Sequence, residues 1–348
     1  MSARGIVAMG VATLLLMVAA ILLNWPESGD LERTNEPLVP GLSDRINDIE
    51  EITVTAAGEQ RIATLERARD RWVVAEKHGF EADFEQVHDL LRSLSAARRI
   101  EARTDNPEWY GRLGVRDVSE TDAEGVAIAF PDTGLDSVII GLPDRAGRGR
   151  FVRLDGQQQT WLTDRVLEIP TRTIEWLQRS VMDIPASELA EVTLRHPSGE
   201  TLVLRPADDD GEEWVLLDVP EDREARPMWE LAPVANALAN VQLTDVRSHE
   251  RVPEDAVRGL FVTRDGLNFL ASTWTEDDAH WVHFTVNAEV TAAAGDEGLG
   301  ESAASLAADA AAVDARLSAW DYRIDERKYQ TLTRDLESLL QPVEEREQ

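Results

Sequence analysis

One ordered set of elements occurs twice in this chain, and any fold it adopts must accommodate the pattern at two places. Ile49, Glu51, Ile52, Thr53 and Val54 return as Leu189, Glu191, Val192, Thr193 and Leu194, and both runs alternate apolar and polar residues as half-buried strands do. Gly58 and Gly199 follow at matching turns, and Trp72-Val73-Val74 returns as Trp214-Val215-Leu216. After each tryptophan strand comes an apolar stripe at helical spacing: Phe84, Val87, Leu91 and Leu94 in the first copy, Met228, Leu231, Ala235 and Leu238 in the second. The first helix reads as capped by Asp83 with Gln86 three residues on, and Pro233 predicts that the second starts near Ala232. Each helix leads into a further strand, Arg99–Ala102 and Val241–Thr244. The offsets stay between 140 and 144 residues, which points to duplication.

The later part of each copy is also rich in strand signals. Val126–Phe130, Ser137–Ile140 and Phe151–Leu154 read as strands in the first copy, Asn268–Ser272 and Trp281–Val286 in the second, with a hairpin turn at Thr275–Asp278. Each copy is expected to end in helix, over Thr171–Ser180 and Glu326–Leu340. Residues 287–316, rich in Ala, Gly, Asp and Glu, break the symmetry as an insertion: a mobile loop near Gly295–Gly300, then an alanine-rich helix over Ser302–Arg316. It is either a surface elaboration or a docking element.

Residues 5–25 contain no charged side chain and would span about 30 Å as a helix, enough to cross a bilayer. Their apolar run exceeds that of a cleaved signal peptide, so the expectation is an uncleaved signal anchor. Arg4 before the segment and Glu27, Asp30 and Glu32 after it put the amino terminus in the cytoplasm and the body outside. Pro26, Gly29, Pro37, Pro40 and Gly41 suggest a tether before the body begins near Ile46.

Charge and composition exclude several functions. Acidic residues number 66 against 35 basic ones, a formal net charge of −31, and the absence of a broad basic stripe disfavours nucleic acid as a partner. Dense surface carboxylate also fits a salt-exposed habitat. The lack of cysteine removes disulfides, thiolate metal sites and thiol catalysis.

The motifs carry little chemistry, and no catalytic, cofactor-binding or metal residues are assigned. His280 and His283 resemble a ligand pair, but residues three apart on a strand point to opposite faces. The acidic run from Asp208 to Glu213 lacks the ligand spacing of a calcium loop, and Gly147–Arg150 is too short to cradle phosphate. The phosphate-loop and nucleophile-elbow motifs do not occur. Trp72 and Trp214, at matching strand positions, read as core residues rather than sugar-stacking platforms.

The strand ending Glu51–Val54, Trp72–Val74 with its helix, Trp109-Tyr110-Gly111-Arg112-Leu113-Gly114-Val115, the strand reaching Ile140-Gly141, and Trp320–Ile324 together resemble the family called domain of unknown function 4340, over about residues 46–340. That resemblance implies a bacterial, single-anchor protein encoded beside ABC transporters similar to the gliding-motility export system. It supplies no catalytic residue.

The expected fold class is therefore α+β: an N-terminal transmembrane helix followed by two tandem, internally duplicated α+β units with mainly antiparallel sheets. The segments are a signal anchor over 1–25, a linker over 26–45, repeats over 46–181 and 182–341, and a tail over 342–348. The expected role is non-catalytic: a periplasmic accessory protein held at the bacterial inner membrane by residues 5–25, with an ABC transporter permease or another envelope protein as partner and no cofactor. A glycan- or lipid-precursor-binding module is the alternative, and an unrecognised hydrolase the third reading.

Overall fold

The computed structural model describes residues 33–208, 211, 213–288 and 297–342. They form two compact units. One contains the described residues up to Arg67 together with Glu85–Thr171; the other contains Ala68–Phe84 and the chain from Arg172 onward. The units thus differ from the tandem copies, because seventeen residues of the first copy, 68–84, belong with the second unit.

The first unit contains β1 (Arg33–Pro37), β2 (Glu51–Ala56) and β3 (Gln60–Ala68). The chain then enters the second unit with the short β4 (Arg71–Val74) and β5 (Phe80–Glu81). It returns with β6 (Arg98–Ala102), β7 (Val126–Ala129), β8 (Val138–Pro143), β9 (Arg150–Leu154) and β10 (Thr160–Thr163). The strands of this unit lie in the order β1-β6-β10-β9-β8-β7-β2-β3 and pair antiparallel. Gly58, with φ of +65°, sits in the turn between β2 and β3, a conformation that costs a residue with a Cβ.

The helices of the first unit are short apart from one. They are α1 (Leu42–Arg45), α2 (Phe84–Ala96) and α3 (Tyr110–Leu113), and α2 buries Val87, Leu90, Leu91 and Leu94 along one side. That stripe recurs every three or four residues, which is why this segment forms a helix of 13 residues between strands.

The second unit continues with β11 (Ser180–Met182), β12 (Leu189–Arg195), β13 (Thr201–Pro206), β14 (Trp214–Leu216), β15 (Val241–Gln242) and β16 (Asp245–Ser248). Three long strands follow, β17 (Val257–Thr263), β18 (Leu267–Glu276) and β19 (Ala279–Ala288), and then β20 (Trp320–Ile324). Its large sheet is ordered β16-β20-β19-β18-β17-β12-β13-β14, also antiparallel. The order β6-β10-β9-β8-β7-β2-β3 in the first unit corresponds strand for strand to β16-β20-β19-β18-β17-β12-β13 in the second. Strands carrying the repeated residues, β2 and β12, hold equivalent places.

One face of the second sheet is core. Val192, Leu194, Leu202, Leu204, Phe261 and Phe284 share that face by strand register and are buried there. Helices α4 (Met228–Ala235), α5 (Glu297–Leu317) and α6 (Glu326–Leu332) pack against strands of this unit. The hairpin joining β18 and β19 turns on Asp277 and Asp278, both with positive φ, the backbone that matches the twist of a two-residue hairpin.

The structure corrects the expected fold class. The described residues are mostly antiparallel sheet with few helices, and none of their helices is long and apolar enough to cross a membrane. The expected anchor over 5–25 lies outside the described residues, as do 289–296 of the insertion and 343–348 of the tail. The tether reading fails from Arg33 onward: β1 pairs with β6, and Leu38, Val39 and Leu42 are buried.

Helix extents change too. The helix expected over Thr171–Ser180 is a single turn at Thr173–Trp176 followed by a strand, and the last helix stops at Leu332. Pro233 does not open its helix; α4 begins at Met228, and the proline, lacking an N–H, sits near the end of a helix of only eight residues. The insertion helix runs longer than expected, from Glu297 to Leu317, and Asp314 accepts a hydrogen bond from the Val286 amide at 2.8 Å.

Candidate functional site

The face of the second sheet opposite its core carries a row of polar residues in direct cross-strand register. Arg247 stands opposite Asp321, Asp321 opposite His283, His283 opposite Ser272, and Ser272 opposite Arg258. Residues paired in this way project from the same side of the sheet. His249, one residue beyond β16, joins them and is held in place by its own amide, which donates to the Ala319 carbonyl at 2.8 Å.

Asp321 is the centre of this cluster and is only 1% exposed. Its Oδ1 lies 2.6 Å from His249 Nδ1 and 3.5 Å from His283 Nδ1, and its Oδ2 accepts from Arg247 Nε at 3.2 Å. The two imidazole rings stack, with centroids 3.6 Å apart and planes at 19°. His283 Nδ1 also lies 3.0 Å from the Trp320 carbonyl, which can only accept, so that nitrogen carries the ring proton. Burial pushes the Asp321 carboxyl upward, but donation from His283, His249 and Arg247 outweighs it and holds the group below the usual carboxylate value.

A tryptophan shelf supports the charged end of the row. The Arg247 guanidinium lies 4.2 Å from the Trp281 ring centroid and makes a 2.5 Å ion pair with Glu276. Trp281 faces Trp274 across the strands, and Ala256 packs with both. Ser272 is beside His283, yet among the described residues no hydrogen bond joins its hydroxyl to that imidazole. The arrangement is a carboxylate–imidazole cluster centred on Asp321.

The first unit offers a different surface. The segment Trp109–Val115 covers the side of its sheet that presents Ile139, with Tyr110, Val115 and Ile139 in one buried cluster. Arg153 clamps it: Nε donates to the Val115 carbonyl at 3.0 Å and the guanidinium lies over the Tyr110 ring, whose hydroxyl donates to the Gln158 carbonyl at 2.5 Å. Trp109 is 45% exposed and has Arg112 stacked 4.0 Å from its centroid. Together with Arg103, Thr104 and Leu113 they line a surface cavity of about 320 Å³.

His283 belongs to the Asp321 cluster, whereas His280, on the opposite face, pairs with Glu326 at 2.5 Å and stacks on Tyr329. Trp72 and Trp214 are buried, and Trp214 Nε1 donates to the Gly211 carbonyl at 3.1 Å. In the acidic run, Asp208 accepts from the Gly211 amide, while Asp209, Asp210 and Glu212 lie outside the described residues. Gly147 and Arg148 form a hairpin tip closed on Asp144. His249 and Asp321 escaped sequence reading because nothing local links them. They meet only through the pairing of β16 with β20.

The fold defines a protein of two antiparallel-sheet units whose strand orders correspond. Residues 72–260, more than half of the chain, match the family described as Domain of unknown function (DUF4340), and the chain belongs to that family. No curated protein and no solved structure matches the chain.

Proposed function

We propose that this chain is a non-catalytic extracytoplasmic accessory protein that works with an ABC transporter of the gliding-motility/export type. The observation that carries the recognition part is on α4. Leu231, Val234 and Ala235 of that helix are buried, while Trp229 is 70% exposed and Met228 beside it 44% exposed. Exposed tryptophan is enriched among residues that dominate protein interfaces, and a large apolar ring left in water is unfavourable unless something covers it. The transporter part rests on the family resemblance.

The test is purification of the tagged full chain in mild detergent from its host. Enrichment of an ABC permease that is lost with Trp229→Ala supports the reading, and isolation of the chain without a transporter under cross-linking conditions refutes it.

A second reading is a module that binds a glycan or lipid precursor. The Trp109 cavity favours it, since an exposed aromatic face beside Arg103 and Arg112 suits a ligand combining an apolar or sugar surface with an anionic group. Titration with such a ligand, followed by Trp109→Ala, distinguishes this reading: saturable binding that disappears in the variant supports it, and no binding eliminates it.

A further inference from the structure

We propose that His249, His283 and Asp321 form a binding site for one zinc-like divalent cation. Two imidazoles and a carboxylate are the ligand types that suit Zn²⁺ and its neighbours, whereas Ca²⁺ and Mg²⁺ favour sites made of oxygen alone.

The donor separations are close to what such a cation requires, and the stacked rings must turn apart for both Nδ1 lone pairs to point at it. Bonds of about 2.0–2.1 Å in a tetrahedron place neighbouring donor atoms roughly 3.3 Å apart. His283 Nδ1 and Asp321 Oδ1 are 3.5 Å apart, and His249 Nδ1 and the same oxygen 2.6 Å apart. The first separation already suits an edge, and the second opens by less than an ångström when the bridging proton gives way to a metal. The imidazole stack separates as the cation enters, and a fourth position is left for water.

The ring protons have somewhere to go. A neutral imidazole ligates through Nδ1 by carrying its proton on Nε2, and among the described residues neither His249 Nε2 nor His283 Nε2 has a hydrogen-bond partner. His283, 5% exposed, is therefore a buried polar side chain with one nitrogen unused by the fold. The exchange of tautomer releases no proton, and the carboxylate stays ionised.

Charge also favours the cation. Asp321 and Glu276 supply two negative charges to the cluster and Arg247 one positive, so with neutral imidazoles the group carries a net negative charge. Arg247 holds Oδ2 and leaves Oδ1, the oxygen shared by both imidazoles, to face the metal. This is the second-sphere support by which ligating carboxylates are usually oriented. The site lies in the second unit, apart from the exposed Trp229 that carries the proposed function, so either idea can fail without the other.

The experiment uses the full chain after treatment with a chelator. Titration with Co²⁺ is expected to saturate at one equivalent with visible absorption of a low-coordinate site, Zn²⁺ to displace it, and Ca²⁺ and Mg²⁺ to leave it unchanged. His249→Asn and His283→Asn each abolish saturable binding, and His280→Asn, on the opposite face, retains it. Should the first two variants not fold, imidazole NMR of the unmodified chain decides: Zn²⁺ shifts His249 and His283. Absence of saturable Co²⁺ and Zn²⁺ binding, full binding by both folded variants, or shifts confined to the other four of the six histidines overturns the proposal.

Discussion

His249 Nδ1 and Asp321 Oδ1 lie 2.6 Å apart although 72 residues separate them, because β16 and β20 are neighbours at one edge of the second sheet. Removing the carboxylate leaves Arg247 with Glu276 alone and deprives both imidazoles of their acceptor at Oδ1. Breaking a buried charged network of this kind costs about 3–5 kcal/mol. Asp321→Ala is expected to lower stability by that order in urea denaturation, and Asp321→Asn, which keeps a hydrogen-bond acceptor, by less. A midpoint unchanged in Asp321→Ala contradicts the placement.

Trp214 is 3% exposed at the edge strand of the same sheet, with its indole nitrogen bonded to the Gly211 carbonyl. Truncation to alanine removes a large buried surface and strands that acceptor, which should destabilise the fold by about 3–5 kcal/mol. Trp229→Ala, by contrast, should leave the melting temperature within a degree or two, since a surface substitution away from specific contacts usually changes stability by less than about 0.5 kcal/mol. The contrast is measured by calorimetry on the two variants in parallel.

Gly141 gives the first unit a test of close packing. A Cβ there would meet the Leu113 carbonyl oxygen and lie 2.7 Å from Val115 Cγ1 and 2.8 Å from the Gly114 carbonyl oxygen. Backbone oxygens have no rotamer by which to retreat, so Gly141→Ala must displace the Trp109–Val115 segment. The expected loss is about 1–3 kcal/mol, the usual cost of overpacking, with a change in Trp109 fluorescence as the cavity deforms.

Lys328, one of two lysines in the chain, donates to the carbonyls of Ala237 and Ala239 at 3.0 and 2.8 Å. Lys328→Met leaves both acceptors without this partner and should cost roughly 1–3 kcal/mol. Burial pushes the Lys328 ammonium below its ordinary pKa, with Asp325 and Asp183 opposing the shift. Between that lowered value and about 10.4, where the unfolded lysine titrates, the unfolded chain binds more protons than the folded one. Stability from this group therefore rises with pH through that window. The stability gap between the native chain and Lys328→Met should widen from neutral toward alkaline pH, and a gap that narrows contradicts the assignment.

Local pattern made part of this architecture legible. Alternation in Glu51–Ala56 and Leu189–Arg195 marks strands because one face of each is buried, and Gly58 and Gly199 mark turns because both adopt positive φ. Asp277-Asp278 likewise turns where the apolar runs on either side stop. What eluded the sequence depends on distant partners. Arg33–Pro37 looks like a tether until β6 supplies a pairing edge. The segment 68–84 belongs to the second unit because Phe80 sets its ring edge against Trp320 at 5.1 Å and Lys77 pairs with Asp245, contacts made more than 160 residues away along the chain. Expected helices run too long where apolar spacing continues past the last helical turn, as after Leu332. The Asp321 cluster depends on register in the same way: His283 stands near His280 in sequence, whereas its chemical partners lie on other strands.

The proposed function rests on recognition of a transporter through the exposed surface of α4. It is tested most directly by placing a photo-activated cross-linking residue at position 229 in the host and identifying what it captures, with position 166 on the first unit as the control. A cross-link is expected from position 229 to an ABC permease subunit and none from position 166. Expression of a folded protein that yields no permease adduct at position 229, with the transporter present, would contradict it.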